Sequence, residues 1–441
     1  MALFGFGKKK TDTVTNAVPV RPEKYPPMGE PGYWEKESYM MALLCHPNLD
    51  ILGKAQERLE GIQDVEVINF APPADDSPMM FTISYRDEVY EFSMVVAHFE
   101  LSQQLALQRN RFTEEEWEGL LTADASLIIS MKFNKNAKKS FHLQLKIIAA
   151  LAPDLLGVYD ESSEKLICPR WIRMAAESDV PPSPEDMYLV QAVSGSDGKI
   201  WLHTHGLNRC GLTELEILES DQEHVNDHFH IINTMAKMLL DKKENYKQWT
   251  TCLYLGILSN QMQILGTFVH WNEAIFQYPN LKLGGLEDRQ DGHNSLTSVI
   301  FLYASEADHT NRKLTYINDF NSLWSDNPLF MISTEETDRM ERMARTRFDY
   351  VLNAHKKGMG VLIKIGLPVD DGEPDEHEHI WFELKEFDKV GVSFLAELTQ
   401  EPYNVSGIHT GDTRWFTISD VTDWLIFTGE RTVTPDQAYL L

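Results

Sequence analysis

The sequence predicts a multi-domain α+β protein in which antiparallel sheets are each covered by helices. Its 441 residues are more than a single hydrophobic core usually organises. Short apolar segments with period-two alternation recur along the chain and are separated by turn residues. Near the C-terminus one helical pattern precedes a run of such strands, which is typical of a helix packed on an antiparallel meander.

Shifts in composition divide the chain into segments. Pro, Gly, Lys and Thr dominate the start, which indicates a flexible leader. A mixed stretch with several glycines follows the helix expected at about Asp221–Leu240. The predicted segments are the leader at 1–37, an N-terminal α+β domain at 38–245, a middle mixed region at 246–332 and a C-terminal α+β domain at 333–441.

The N-terminal domain alternates strand and helix signals. An apolar strand at Tyr39–Cys45 opens it, and a capping box at Thr113–Glu116 begins a short helix. An amphipathic helix is expected at Ala137–Leu151, and Gly195–Gly198 marks the turn of a hairpin. The order of these elements predicts helices covering one face of a mainly antiparallel sheet.

The C-terminal domain opens with a second capping box, at Ser333–Glu336. Apolar residues then recur at helical spacing from Met340 to Leu352. The predicted strands are Val361–Leu367, His379–Phe387, Val392–Leu398 and Trp415–Ile418, and Ser419–Trp424 is expected to cap a short helix.

The net charge of −27 bears on the kind of partner. Such a charge repels phosphate backbones, so nucleic acid is not expected to bind, and a protein partner is the better expectation. No apolar run is long enough to span a bilayer. The leader places an apolar tip before Lys8, Lys9 and Lys10, which would support only weak membrane contact.

The four cysteines lie far apart and contain no Cys-x-x-Cys pair, which is typical of reduced thiols and favours a cytoplasmic protein. The phosphate-binding glycine motifs and the Gly-x-Ser-x-Gly elbow of esterases are absent from the sequence. The sequence therefore predicts no cofactor.

Polar and aromatic residues are densest between residues 378 and 424. By period two, Ile380, Phe382 and Leu384 share one strand face, which leaves the other to a partner or another domain. The candidate polar cluster comprises Glu378, His379, Trp381, Glu383, Glu401, Asp412, Asp420, Asp423 and Trp424. Histidine with carboxylates suits general acid–base chemistry or a divalent metal. The alternative is that the acids cap turns and the tryptophans fill the core.

A second group of histidines lies on the helix expected after Asp221. His224 and His228 are four residues apart, so one helix face could present both to a metal, with His230 nearby. A solvated polar face is the alternative. The acidic segment Asp370–His379 is expected to be a solvated loop, since it lacks the ligand spacing of a calcium loop.

Two resemblances to known families follow from short motifs. The motif residues of the C-terminal segment are Met343-Ala344-Arg345 with Phe348, Lys364, Glu378-His379-Ile380-Trp381, Glu401-Pro402, Gly411-Asp412, and Ile418 through Asp423-Trp424. In these residues the segment resembles the YegJ-like bacterial family of domain of unknown function 2314. That family implies no agreed reaction, substrate or catalytic residue.

The N-terminal part is similar to domain of unknown function 4026. The residues concerned are Thr204-His205-Gly206-Leu207, Gly211 and Glu214-Leu215-Glu216. The same pattern looks like domains related to suppressor-of-fused and to bacterial immunity proteins, which favours a binding protein.

These observations predict a bacterial protein with a non-catalytic binding or regulatory role, of which an immunity-like role is one form. The alternative is a hydrolase or metal-dependent enzyme that uses the histidine and carboxylates of the C-terminal domain. The two hypotheses differ in one spatial requirement. The enzyme needs His379 and at least two of the candidate acids to converge in one pocket.

Overall fold

The computed structural model describes residues 36–47, 50–71, 77–241, 246, 251–258, 262–289, 294–324, 329–373, 376–388 and 391–441. The predicted leader, with its weak membrane contact, lies outside the described residues except for positions 36 and 37. The chain forms two compact units. The N-terminal unit comprises Met1–Ala176 and Pro184–Ile332, and the C-terminal unit comprises Glu177–Ser183 and Ser333–Leu441.

The first sheet of the N-terminal unit is antiparallel throughout and has the order β2-β3-β4-β5-β1-β6-β7. Its strands are β1 Ser38–Leu44, β2 Val65–Ala71, β3 Met79–Tyr85, β4 Glu88–His98, β5 Ala125–Met131, β6 Gly157–Asp160 and β7 Lys165–Ile167. Strand β5 is buried on both faces except at Ile128, so it lies at the centre of the core.

Helices accompany this sheet. They are α1 Asp50–Gly53, α2 Ala55–Glu60, α3 Gln103–Ala106, α4 Glu114–Leu120, α5 Ala137–Leu151 and α6 Pro169–Glu177. The predicted capping box is present at α4, where Thr113 and Glu116 exchange side-chain and backbone hydrogen bonds. Helix α5 buries most of its residues, so it is a core helix.

The second sheet has the order β14-β11-β12-β13-β10-β9-β8. Its strands are β8 Leu189–Ser194, β9 Lys199–His205, β10 Glu214–Asp221, β11 Leu253–Ile257, β12 Gln263–His270, β13 Thr297–Tyr303 and β14 Leu329–Phe330. The accompanying helices are α7 Val225–Asp241, α8 Trp271–Ala274, α9 Glu306–Thr310 and α10 Asn321–Trp324.

Strands β10 and β13 pair in parallel, from Glu214 opposite Thr297 to Glu216 opposite Val299. A parallel pair needs a crossover connection, and here the chain between them includes α7, β11, β12 and α8. Strands β11 to β14 lie within the stretch predicted as a separate middle region, 246–332, but they belong to the same sheet as β8 to β10. The physical reason is that strand pairing over this sequence distance leaves no local signal in the chain.

The C-terminal unit contains the third sheet, with the order β18-β17-β16-β15-β19-β20 and antiparallel pairing. Its strands are β15 Gly360–Pro368, β16 His377–Phe387, β17 Ser393–Leu398, β18 Thr413–Thr417, β19 Val421–Phe427 and β20 Thr432–Val433. Helices α11 Thr334–Thr346 and α12 Phe348–Lys356 pack against one face of it.

Two local features of this unit differ from expectation. The continuous helical pattern is two helices, since Arg347 leaves the helical conformation with φ −101° and ψ 19°. The short helix expected at Ser419–Trp424 is a single 3₁₀ turn, Ile418–Asp420, followed by β19. Strand β19 then pairs with β15, on the edge of β15 opposite to β16, and so extends the sheet.

The predicted fold class is confirmed, because three mostly antiparallel sheets are combined with helices in more than one compact unit. Within the described ranges, none of the helices has the length and apolar character that crossing a membrane requires. Among the same residues, no disulfide joins the four cysteines.

Candidate functional site

The sheet of the C-terminal unit has two unlike faces. Ile380, Phe382 and Leu384 of β16 are buried on the face that meets α11 and α12. Trp381 and Glu383 alternate with them and point away from that core. We call this second surface the open face. It carries Leu362, Lys364, His379, Trp381, Glu383, Lys385, Leu395, Glu397, Trp415, Asp423, Leu425 and Phe427.

A row of three side chains crosses the middle of the open face. Lys364 of β15 is aligned with Trp381 of β16 on one side and with Asp423 of β19 on the other. Its ammonium lies 4.5 Å from the centroid of the Trp381 ring and 3.5 Å from Asp423 Oδ2. These contacts combine a cation–π interaction with an ion pair, so the lysine and the tryptophan hold each other in place.

Asp423 is the most enclosed acid of the candidate cluster. Burial raises its pKa, while the nearby Lys364 and the backbone N–H of Trp424 oppose that rise. Trp424 itself lies in the core, where its Nε1 donates to the Ala344 carbonyl of α11 at 3.0 Å. The two neighbouring residues therefore serve opposite faces of the sheet.

His379 lies near one end of the open face. Its Nδ1 is 3.1 Å from Thr422 Oγ1, and burial together with the charge of Lys364 lowers its pKa. The neighbouring acid Glu378 accepts hydrogen bonds from the backbone N–H groups of Tyr403 and Asn404. Glu378 thus holds the loop after β17 and leaves His379 without that carboxylate as a direct partner.

Three further acids of the cluster, Glu401, Asp412 and Asp420, hold turns. Glu401 accepts from His409 Nδ1 at 2.6 Å, which lowers the pKa of the carboxyl and raises that of the histidine. Asp412 accepts from the backbone N–H of His409, and Asp420 accepts from the N–H and hydroxyl of Thr417. These three acids are exposed. Glu401 and Asp412 both bind His409, whereas Asp420 holds a separate turn at Thr417.

Glu383 belongs to a charged group on the open face. Lys385 lies 2.9 Å from Glu383 and 3.1 Å from Glu397, and the two acids are aligned across β16 and β17. The lysine separates two carboxylates that would otherwise repel each other. The structure therefore brings together Glu383 with Lys385, and Trp381 with Asp423 through Lys364.

The histidines of α7 have separate surroundings. His228 is buried, with Nδ1 2.8 Å from Ser220 Oγ and Nε2 3.0 Å from Asn321 Oδ1. Burial lowers its pKa to about 4, so the ring is neutral at neutral pH. His224 contacts Asp227, and His230 is exposed against Phe330. Within the part of the chain that the structure describes, no three His, Cys, Asp or Glu side chains are grouped to hold a metal.

The motif at 204–216 in the N-terminal unit builds a rigid turn. Glu214 accepts hydrogen bonds from Thr204 Oγ1 and from the backbone N–H groups of Gly206 and Asn208, at 2.7 to 2.9 Å. Gly206 has φ +117°, and a Cβ there would lie 2.5 Å from the Met187 carbonyl. Only glycine fits this position without movement of the backbone.

Two buried ion pairs surround this turn. Arg209 donates to both carboxylate oxygens of Asp160, at 2.7 and 2.8 Å, and so joins the second sheet to the first. Arg289 donates to both oxygens of Glu216 and lies over the Trp201 and Trp271 rings. Arg209 uses both Nη1 and Nη2, whereas Arg289 uses Nη2 for both Glu216 oxygens. Both arrangements pair charges that burial removes from water.

Fold and site together define a multi-domain α+β protein assembled from domains of unknown function. Family models match protein of unknown function DUF4026, N-terminal, at residues 38–182 and its C-terminal counterpart at residues 190–301. A third match is to uncharacterized protein conserved in bacteria, DUF2314, at residues 343–435. The chain belongs to the DUF4026 family over more than half its length and carries a C-terminal DUF2314 domain, which confirms both resemblances. No curated protein and no solved structure matches it.

The candidate polar cluster omits Lys364, although it is a motif residue of the same segment, and sequence reasoning missed the buried ion pairs. Lys364 lies in an apolar strand, and its two partners become visible only when the register of β15 with β16 and β19 is known. Period-two alternation along β18 could have placed Trp415 on the open face. Its neighbour Phe416 is buried, whereas Trp415 is 52% exposed.

Proposed function

We propose that this chain is a non-catalytic binding or regulatory protein whose C-terminal unit binds a partner protein through the open face. The observation that carries the proposal is the set of exposed aromatic side chains there. Trp415 is 52% exposed and Phe427 is 41% exposed, although both occupy regular strands. Large aromatic residues exposed on a sheet are typical of protein interfaces.

The surroundings of these aromatics support the same role. Half-buried Leu362, Leu395 and Leu425 lie on the same face, and the charges between them are already paired. A partner that covers the face would therefore gain apolar contact without leaving an isolated charge in the interface. Trp381 is held by Lys364, so its ring is ordered before binding.

The enzymatic alternative receives less support from the geometry. It requires His379 and two carboxylates in one pocket, but Glu378 holds a loop and Asp423 faces Lys364. Glu401 and Asp420 hold separate turns. Engagement of acids in turns is the expected use of such residues in loops.

Site-specific photo-crosslinking tests the binding role. A photoreactive aromatic residue in place of Trp415 should capture one partner protein in the host cell. The same residue in place of Leu121, which is 60% exposed in the N-terminal unit, is the matched control. Trp381→Ala, combined with the probe at 415, should reduce the captured yield. Equal capture at both positions, or none at 415, would contradict the proposal.

Two finer proposals accompany this role. The match to a domain conserved in bacteria and the four free cysteines support a bacterial cytoplasmic location. Fractionation of host cells tests it, and recovery in the envelope fraction would refute it. An immunity-like role is the more specific form. It predicts that the captured partner is an enzyme whose activity falls when the purified chain is added.

A further inference from the structure

The first sheet of the N-terminal unit brings a thiol, an imidazole and a carboxylate together at one end. Cys45 and His46 directly follow β1, and Asp124 directly precedes β5. These strands pair with Leu44 opposite Ala125, and the Asp124 N–H donates to the Leu44 carbonyl at 3.2 Å. Main-chain pairing at the buried centre of the sheet therefore holds the backbone on both sides of this group.

The imidazole lies between the other two side chains. Cys45 Sγ is 3.5 Å from His46 Nε2, and His46 Nδ1 is 3.4 Å from Asp124 Oδ2. An ionised carboxylate only accepts hydrogen bonds, so Nδ1 carries the ring proton and Nε2 is left to accept from the thiol. Nucleophile, base and orienting group follow one another in the order that activates a cysteine. Groups in such a row do not surround one point as metal ligands do.

The surroundings of Asp124 favour this orientation of the ring. Its Oδ1 is buried and has no hydrogen-bond partner among the described residues. Partial burial of a carboxylate costs free energy unless a donor pairs with it. His46 supplies that donor at Oδ2, which turns Nε2 towards the sulfur.

Cys45 differs from the other cysteines in access. It is exposed, and the Thr122 hydroxyl lies 3.6 Å from its sulfur. Cys168 and Cys210 are buried, and Cys252 is partly buried. Burial raises the pKa of the Cys168 and Cys252 thiols, which keeps them protonated and slow to react. Within the described ranges, Cys45 is the one cysteine that is both exposed and in contact with an imidazole.

We propose that Cys45 is a nucleophilic thiol that forms a mixed disulfide with small-molecule disulfides, with His46 as its base. His46 Nε2 takes the thiol proton as the sulfur attacks one sulfur of the disulfide. A new S–S bond forms while the old one breaks, and the departing thiolate takes a proton from the imidazolium. Cys45 is oxidised and the small disulfide is reduced, so the step needs no other oxidant. Asp124 is a positioning residue.

This site goes beyond the binding role. It belongs to the N-terminal unit, whereas the open face belongs to the C-terminal unit, so neither proposal depends on the other. The description of the family that matches residues 38–182 assigns no role to these side chains.

Thiol–disulfide exchange in the full-length protein tests the site, with the disulfide of 2-mercaptoethanol as probe. Peptide mass spectrometry measures the rate at each cysteine. We expect a single group to be added at Cys45 before the other cysteines react. His46→Asn should slow this reaction about tenfold at about pH 7, since the thiol then lacks its base. Asp124→Asn should slow it by a smaller factor, because His46 loses the charged acceptor that orients its ring.

The pH profile separates the action of a base from access alone. At about pH 9.5 an exposed thiol ionises without help, because its ordinary pKa is about 8.5, so the rates of the unsubstituted protein and His46→Asn should converge there. His98→Asn is the matched control and should leave the rate unchanged. His98 is an exposed histidine at the same end of the sheet, opposite Ala125.

Circular dichroism verifies the fold of each variant, and Asp124→Asn keeps the test valid if His46→Asn does not fold. No adduct at Cys45 would overturn the proposal. An unchanged rate in His46→Asn, or equal slowing at about pH 7 and about pH 9.5, would identify an exposed thiol without a base and would overturn it as well.

Discussion

In the N-terminal unit, the Arg209–Asp160 and Arg289–Glu216 pairs have side chains that are at most 1% exposed. On the open face of the C-terminal unit, Lys385 and its two carboxylate partners are each at least 33% exposed. The same charge chemistry therefore serves two purposes. A buried pair holds elements in place because neither partner can be lost without leaving a charge in the core. A surface pair shapes a face and adds little stability.

The largest loss of stability is expected from breaking a buried ion pair. Arg209→Met leaves the buried Asp160 with the Ser163 hydroxyl but without its arginine, so we expect a loss of about 3–5 kcal/mol in the free energy of unfolding. Urea denaturation measures the loss, and hydrogen exchange assigns it to the N-terminal unit. A loss below about 1 kcal/mol would show that the pair is not structural.

Acid should destabilise the N-terminal unit through buried neutral histidines. The pKa of His228 is lowered to about 4 by burial, against about 6.5 in the unfolded chain. Between these values the unfolded chain binds more protons, so stability falls as pH is lowered from about 6.5 to about 4. The full effect of this shift is about 3 kcal/mol.

Denaturation at a series of pH values measures this dependence. His228→Asn should reduce the slope between pH 4 and 6.5 without abolishing it, because burial also lowers the pKa of His270 to about 4. His230→Asn is the control, since His230 is exposed, and should leave the slope unchanged. An identical slope in all three proteins would exclude His228 as its source.

Substitutions on the two faces of the third sheet should also differ in their effect on stability, with the larger loss on the buried face. Trp424→Phe removes the donor to the Ala344 carbonyl in the core, and we expect a loss of about 1–3 kcal/mol in the C-terminal unit. Trp415→Phe changes a half-exposed side chain and should leave stability nearly unaltered. Thermal unfolding of the two variants tests the contrast, and equal losses would contradict it.

The smallest change in stability is expected from breaking an ion pair on the open face. Lys385→Met should change the free energy of unfolding by about 1 kcal/mol or less, because exposed ion pairs contribute little. It should nevertheless reduce photo-capture from position 415 if Glu383 and Glu397, left without their lysine, oppose the partner. A large loss of stability would show that this exposed ion pair contributes as much as the buried pairs, which contradicts the comparison.

Local patterns predicted much of the fold. Period-two alternation placed Ile380, Phe382 and Leu384 in the core, and the capping box at Thr113 marked the start of α4 correctly. Patterns of this kind depend on neighbouring residues alone. The residue-by-residue alternation also separated Trp381 and Glu383 from the core face, and the open face follows from it.

What the sequence could not supply was pairing between distant residues. Asp160 and Arg209 are 49 positions apart, and Glu216 and Arg289 are 73 apart, so neither pair has a sequence signature. The candidate acids were grouped because they are near in sequence, yet they serve different turns: Glu401 and Asp412 both bind His409, whereas Asp420 binds Thr417. Strand register decides which side chains meet, and register is a property of the folded sheet.

The parallel pairing of β10 with β13 has a consequence for synthesis of the chain. Strand β10 ends at Asp221, but its partner begins at Thr297. A ribosome that adds about 5–20 residues per second therefore exposes the β10 edge for several seconds before β13 exists. During that interval the edge can pair with another nascent chain. Crowded translation of this protein should favour aggregation through residues 214–221, and slowing initiation should relieve it.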